Sequence, residues 1–228
     1  MMIRCVDLET TGIEPTDHVV EVAAWDLIPE QGPVGILNLG SWLVKPPIPI
    51  PPAMSAIHHL IDNDVAEAQP WADTYPHVIS AGVDAYCAHN AKFERQWITD
   101  AITGGKPWVC TYRCALRVWT NAPSHSNQAL RYWLNLDVNR GIASHAHRAG
   151  PDAYVTAHLL RELLKHATVE QMIEWSGQPA LLPRLTFGKH RGTPFKDAPR
   201  DYLDWLSRQT DMNEDVKFTA KHHLEAPH

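Results

Sequence analysis

Two acidic side chains lie one residue apart where the first apolar run of the sequence ends. Asp7 lies inside the branched apolar stretch Ile3 to Leu8, and Glu9 follows that stretch directly. Residues i and i+2 of a strand face the same way, so the two carboxylates would lie side by side. Two such anions repel each other unless a cation binds between them. The spacing therefore indicates either a divalent-metal site or an exposed strand end with two solvated acids.

A second group of polar residues follows a short apolar stretch in the middle of the chain. The segment AHNAKFER, residues 88–95, offers His89, Asn90 and, four residues after the asparagine, Glu94. We expect this segment to bring a further carboxylate to the first two acids.

A third group begins at His147 in the segment HRAGPDAYVTAHLL. Asp152 lies five residues later, in the first turn of the strongest predicted helix, and shares a helical stripe with Val155 and Leu159. It can therefore point inward while His147 lies on the preceding loop. Alone, Asp152 would be an ordinary acid favoured by the macrodipole at a helix start. Four acids and a histidine in this order, each on the expected type of element, favour one shared site.

The elements that must position these residues can be predicted from apolar periodicity and from breakers. Strands are predicted at residues 3–8, 19–27, 40–44 and 85–88, with a turn at Gly32 and Pro33. Five prolines in residues 45–54 predict an extended loop, because proline disrupts both helices and central strands. From about residue 60 the chain reads as helical, and its best helix follows Pro151. This order predicts an α/β domain with a mixed sheet.

The C-terminal part of the sequence predicts a small second unit. Thr168 and Gln171 can cap a short helix that ends at Gly177, and a linker follows. We predict one domain over residues 1–167, a short helix and linker over 168–183, and an α+β module over 184–228 that contains a strand, a glycine-marked turn, a second extended piece and helices. The turn carries Lys189, His190 and Arg191, which form either an accessory phosphate contact or an ordinary solvated turn.

Composition limits the classes of function. Of 228 residues, 44% are hydrophobic and 20% are charged, which is typical of a globular chain. The sequence predicts no transmembrane span and no secretory signal, and its four cysteines are expected to be free thiols in a reducing cytoplasm. The net charge of −6 argues against a large non-specific nucleic-acid surface, although acids gathered in a metal site contribute to that total.

Three of these segments resemble a known family. DLETTG, HNAKFER and HRAGPDA are similar to the three motifs of the DEDDh 3′–5′ exonucleases, ribonuclease H-like domains related to the proofreading subunit of bacterial DNA polymerase III. PPAMSAIHHL resembles the segment that these enzymes carry between the first two motifs, and LTFGKHRGTPFKDAPRDYLDWL resembles one bacterial branch. The resemblance covers nearly the whole chain. It implies a ribonuclease H-like α/β fold, with a mixed five-stranded sheet flanked by helices, in a monomer or homodimer.

The resemblance also implies a two-metal hydrolysis that releases 5′-mononucleotides from DNA 3′ ends, single-stranded and also duplex, in DNA repair. It assigns two Mg²⁺ ions, for which Mn²⁺ would substitute. Asp7 would bridge both ions, Glu9 and Asp152 would hold the first, and Glu94 would steady the second. His147 would be the general base.

Two positions depart from the family pattern. Glu94 stands where the family has aspartate, and Gly150-Pro151 stands where it more often has a bulky residue before the last acid. In the family, the acid at the position of Glu94 reaches its metal through water. An additional methylene is easier to accommodate in such a contact than in a direct one.

Recognition of a strand end is expected from residues around the first motif. Thr10, Thr11 and the backbone after Glu9 would lie beside the terminal nucleotide, and Ile13 would wedge against its base, a contact that is indifferent to base identity.

Other interpretations of the same motifs remain open. His89 and Asn90 either line the same cleft or have a structural part. An exoribonuclease would use the same motifs, and a non-catalytic binder of nucleic-acid ends would fit if Glu94 marks a decayed site.

Overall fold

A mixed five-stranded sheet organises the molecule. The computed structural model describes residues 1–29, 35–80 and 82–225. The strands are β1 (Ile3–Thr10), β2 (Val19–Ile28), β3 (Gly35–Leu43), β4 (Ala85–Ala88) and β5 (Trp108–Cys110). They lie in the order β3-β2-β1-β4-β5. β1 pairs antiparallel with β2 and parallel with β4, β3 is antiparallel to β2, and β5 is parallel to β4. The predicted mixed five-stranded sheet of an α/β fold is confirmed.

Helices cover the sheet. They are α1 (Pro52–His58), α2 (Trp71–Val78), α3 (Asp100–Thr103), α4 (Thr111–Val118), α5 (Asn127–Trp133), α6 (Ala149–Leu163), α7 (Val169–Gly177), α8 (Arg200–Arg208) and α9 (Glu214–Glu225). Single 3₁₀ turns span Glu94–Gln96 and Phe195–Asp197. No helix in the described ranges is long and apolar enough to cross a membrane.

Several predicted elements differ from the structure. β3 starts five residues before the predicted strand, and the predicted turn at Gly32 and Pro33 lies outside the described residues. β5 falls where the sequence predicted only helices, because three residues give no detectable periodicity. The end of the predicted proline-rich loop already belongs to α1, since Pro52 occupies a first-turn position that needs no backbone N–H donor.

The central helix packs directly on the strands that carry the acids. Ala153 and Ala157 are fully buried, and these small side chains let α6 approach β1 and β2 closely. Leu160 continues the same buried stripe. α6 ends at Leu163, so the helical spacing that continues in the sequence to Leu164 and Ala167 runs past the end of the helix. A rigid contact between α6 and β1 follows from this packing.

The C-terminal part has its own apolar core, but the strand predicted there does not form in the described residues. Residues 184–195 contain only an isolated bridge between Arg184 and Pro194. The apolar cluster that α8 and α9 enclose is formed by Leu185, Phe195, Ala198, Leu203, Leu206, Val216 and Ala220. By contrast, Val169 and Met172 of α7 are buried in the main core, so α7 packs as part of the larger unit.

Candidate active site

Carboxylates from two elements converge beside the C-terminal end of β1. Asp7, Glu9 and Asp152 each offer an oxygen, and these oxygens all lie within 4.8 Å of one another. The alternation of β1 puts the first two acids on one face, and the packing of α6 across that face brings Asp152 to them. Three of the four predicted acids therefore form one cluster.

Glu94 lies in the same cavity without belonging to that cluster. It begins the 3₁₀ turn after β4 and is only 2% exposed. Together with the three clustered acids it lines a cavity of about 250 Å³. Its Oε2 atom is buried without a hydrogen-bond partner among the described residues. A buried carboxylate oxygen in this state requires a cation or a proton.

The acids cannot all be ionised at neutral pH without a cation. The pKa of Asp7 is raised well above its usual value, first by burial and then by the charges of Asp152 and Glu9. The pKa of Glu9 is raised to about 8 by burial and then by Asp152 and Glu21. Burial, with a further contribution from Glu9, raises the pKa of Glu94 to about 8. Hard oxygen ligands crowded in this way fit divalent metal ions such as Mg²⁺.

His147 lies at the rim of the cavity and is exposed to solvent. Its backbone has a φ of 61°, an uncommon left-handed conformation for a residue with a side chain. Its backbone N–H donates a 2.7 Å hydrogen bond to Oδ2 of Asp152, and Gln128 Nε2 donates to Oδ1 of the same carboxylate at 2.6 Å. Asp152 therefore fixes the loop that carries the histidine. No local pattern in the sequence points to Gln128.

A partly buried ion pair anchors the same loop to the sheet. Glu21 of β2 accepts hydrogen bonds from Nε and Nη2 of Arg148 at 2.8 Å each, and one from the backbone N–H of Ala149 at 3.0 Å. The pair joins β2 to the first residues of α6, directly after His147. The sequence prediction missed Glu21, although a lone acid in the apolar run VVEVAAW was the signal that could have identified it.

The predicted substrate contacts of the first motif separate into two groups. Thr10 and Ile13 line the cavity, and Ile13 is 70% exposed at its mouth. Thr11 is buried, and its hydroxyl accepts from the backbone N–H of His18 at 2.9 Å and lies 3.3 Å from Asp17 Oδ1. The side chain of Thr11 thus holds the loop after β1 and does not line the cavity.

The second motif contributes a half-buried histidine and an exposed asparagine to the cavity. Nε2 of His89 lies 2.9 Å from the carbonyl oxygen of His125, and Nδ1 lies 2.9 Å from Oγ1 of Thr111. A carbonyl only accepts, so Nε2 carries the proton and Nδ1 accepts from the threonine. Burial lowers the pKa of His89 to about 4, which keeps the ring neutral. Of the two open interpretations, this geometry favours a structural part for His89, whereas Asn90 is exposed at the cavity.

One wall of the cavity was not predicted from the sequence. α1 contributes Met54, Ile57 and His58. His58 is buried, and its Nδ1 accepts a hydrogen bond from the backbone N–H of Leu60. Burial lowers its pKa, so the ring is neutral. The sequence identifies this segment only by its resemblance to the family. That resemblance does not indicate which of its side chains face the cavity.

Comparisons with known proteins agree with this geometry. No protein-family model matches the chain. Exodeoxyribonuclease 10 of Escherichia coli K12 is 38% identical over 231 aligned positions, which cover 98% of this chain and 99% of the relative. DNA polymerase III subunit epsilon of Treponema pallidum is 28% identical over 70% of this chain and 75% of its own.

A solved structure of exonuclease X in complex with 5′ overhanging duplex DNA superposes with a TM-score of 0.66 at 34% identity. The match covers 77% of this chain and 99% of the solved one. The first of these relatives matches in sequence across nearly its full length, and the solved structure matches in fold. The chain therefore belongs to the exodeoxyribonuclease 10 family of 3′–5′ exonucleases.

Proposed function

We propose that this enzyme removes nucleotides one at a time from DNA 3′ ends by two-metal hydrolysis, releasing 5′-mononucleotides, and that it serves DNA repair. The observation that carries the proposal is the group of three carboxylates whose oxygens lie within 4.8 Å, with Glu94 and His147 in the same cavity. The 38% identity to an exodeoxyribonuclease supports DNA as the substrate.

The donor set suits hard divalent ions. Asp7, Glu9 and Asp152 would hold Mg²⁺, or Mn²⁺ in its place, and the unpartnered Oε2 of Glu94 would complete the site. When bound, such ions supply a water of lowered pKa and neutralise the charge that develops on the phosphate.

The chain's own residues place the substrate and move the proton. His147 takes the proton of the attacking water, a task suited to imidazole at neutral pH. Asp152 holds the backbone of that histidine at the cavity rim. Ile13 packs against the terminal base, and Asn90 and the backbone of Thr10 contact the terminal nucleotide. Packing of this kind accepts every base, so recognition is of the strand end.

Both single strands and recessed 3′ ends of duplexes are proposed as substrates. The solved relative was captured with a 5′ overhanging duplex, in which the 3′ end is recessed. An exposed Ile13 beside the catalytic cavity is suited to separating the last base from its neighbour.

The experiment that tests the proposal is His147→Ala. We expect kcat for Mg²⁺-dependent release of 5′-mononucleotides from DNA to fall about 10²–10⁴-fold, because general base catalysis contributes that much, while DNA affinity is unchanged. His145→Ala, at another exposed histidine of the same loop, is the matched control and should keep full activity. An unaffected His147→Ala enzyme would contradict the role of the histidine. Faster cleavage of RNA than of DNA of equal sequence would contradict the substrate.

A further inference from the structure

A groove leads away from the catalytic cavity towards the C-terminal part of the chain. His89 and Asn90 line both the cavity and this groove, which has a volume of about 660 Å³. The groove runs between the loop that joins α4 to α5, residues 122–126, and the segment 182–186 that precedes α8. A strand whose 3′ end occupies the cavity therefore has a continuous path into the groove.

The walls of this groove combine apolar surfaces with small hydrogen-bonding groups. Its polar members include Ser124, Ser126, Arg184 and Thr186. The apolar members are Tyr112, Leu116, Ala122, Pro123, Leu182 and Pro183. None of its lining residues in the described ranges is acidic. Grooves that bind one strand of nucleic acid combine two kinds of contact. Apolar surfaces of this kind contact sugars and bases, and hydrogen-bond donors contact the phosphates.

Arg184 lines the groove, and further positive charge follows it closely in the sequence. Residues 181–200 contain five Lys or Arg and one acid, although the whole chain has a net charge of −6. Arg184, Lys189 and Arg191 are exposed, and no ion pair joins them to an acid in the described part of the chain. Arg184 makes one hydrogen bond, to the carbonyl of Gly192 at 3.2 Å, so most of its donors stay free.

The turn that carries Lys189 and Arg191 is held in place by α8. Gly188 has a φ of 67°, and a Cβ atom there would lie 2.7 Å from the hydroxyl of Tyr202. The ring of His190 packs edge-on against Tyr202 at 4.6 Å between centroids, and the amine of Lys189 lies 5.6 Å from the centre of that ring. The cations are thus displayed on a fixed turn, which reduces the entropy lost on binding.

We infer that this groove binds the single DNA strand upstream of its 3′ end, and that Arg184, Lys189 and Arg191 contact its phosphates. The inference rests on the proposed function and extends it. It gives the C-terminal part a role as a second anchoring point that holds the strand while the terminal nucleotide occupies the catalytic cavity.

The test replaces all three cations together, as Arg184→Gln, Lys189→Gln and Arg191→Gln. Binding of a single-stranded oligonucleotide is measured by fluorescence anisotropy without divalent metal, so that no cleavage occurs. We expect Kd to rise at least about tenfold, and the slope of log Kd against log salt to fall by about 0.7 for each phosphate that the protein no longer neutralises. Turnover of the p-nitrophenyl ester of thymidine 5′-monophosphate, which occupies only the catalytic cavity, should not change.

The matched control is the triple variant Arg208→Gln, Lys217→Gln and Lys221→Gln, which removes the same charge from α8 and α9 without touching the groove. It should bind DNA like the parent. Arg191→Glu repeats the test at a side chain that makes no hydrogen bond in the described structure. If the groove variants bind the oligonucleotide as tightly as the parent, the inference is wrong, whatever the catalytic activity. If the parent hydrolyses neither DNA nor the ester, the proposed function fails, and the binding data still decide the role of the groove.

Discussion

Glu94 occupies the position where the resemblance to the family predicts aspartate. The side chain is only 2% exposed and its Oε2 atom has no partner in the described structure. Glu94 and Glu9 line the same cavity, and the charge of Glu9 adds to the rise in the pKa of Glu94. The extra methylene thus extends the carboxylate into the catalytic cavity, so its presence does not by itself indicate a decayed site.

Two substitutions at this residue separate charge from length. We expect Glu94→Asp to be at least as active as the parent, because the shorter acid keeps the charge that a metal needs. Glu94→Gln should lose roughly 10–100-fold in activity or metal affinity, the usual cost of removing a supporting group at a metal site. Initial rates over a Mg²⁺ titration distinguish the two effects. A steep loss in Glu94→Asp would mean that the pocket has been rebuilt around the longer side chain.

Helices and strands could be predicted from the sequence where their apolar periodicity was strong. Site residues could be predicted where that periodicity also determines the direction in which a side chain points. The alternation of β1 and the stripe of α6 predicted that Asp7 and Asp152 point to one place. β5 was missed because it is three residues long, and the strand predicted near residue 184 is an isolated bridge. Glu21 and Gln128 bind partners distant in sequence, and no local pattern identifies those partners. For Glu21 the lone acid in an apolar run was a local signal, whereas Gln128 had none.

Convergence of β1, α6 and the turn after β4 has a consequence for stability. Glu9 and Glu94 each have a pKa of about 8 in the folded chain, against ordinary values of 4.5. Between these limits the folded state holds protons that the unfolded state has released, so the free energy of unfolding falls as the pH rises towards about 8. Histidines of lowered pKa, such as His89, are neutral in both states above about pH 6.5 and add little there.

We therefore expect metal-free protein to unfold at a lower temperature at about pH 8 than at about pH 6.5. A loss of only about 1 kcal/mol lowers Tm by roughly 2–4 °C in a chain of this size. The proposed Mg²⁺ ions would bind the ionised acids, so the stabilising effect of Mg²⁺ should be larger at the higher pH. Thermal unfolding followed by circular dichroism, with chelator and with Mg²⁺, measures both. The double variant Glu9→Gln and Glu94→Gln should flatten the profile, and an unchanged profile would contradict the assignment to these acids.

At the scale of the whole molecule, the chain passes from the main apolar core to the smaller one between α7 and Leu185. The smaller core lies between α8, α9 and residues 185–198, and it is joined to the preceding segment by hydrogen bonds from the backbone of Ala180 to Asp215 and from that of Leu182 to Thr219. α7 packs in the main core and not in the smaller one. Its Ser176 Oγ accepts from the backbone N–H of Cys110 at 2.7 Å and so covers the edge strand β5. From this packing we propose that the larger unit extends through α7, whereas the boundary expected from the sequence at residue 167 stays a prediction.

Two truncated chains test this division. Residues 1–179 keep α7, so we expect cooperative unfolding and retained hydrolysis of the p-nitrophenyl ester. Residues 1–167 lose the burial of Val169 and Met172, each worth about 1.5–3 kcal/mol, and uncover the edge of β5. Against a total stability of about 5–15 kcal/mol, that loss should leave the shorter chain largely unfolded or aggregated. Urea unfolding and limited proteolysis compare the two. Equal stability would show that α7 is an appendage of the fold, and failure of the longer chain to fold would show that the two cores depend on each other.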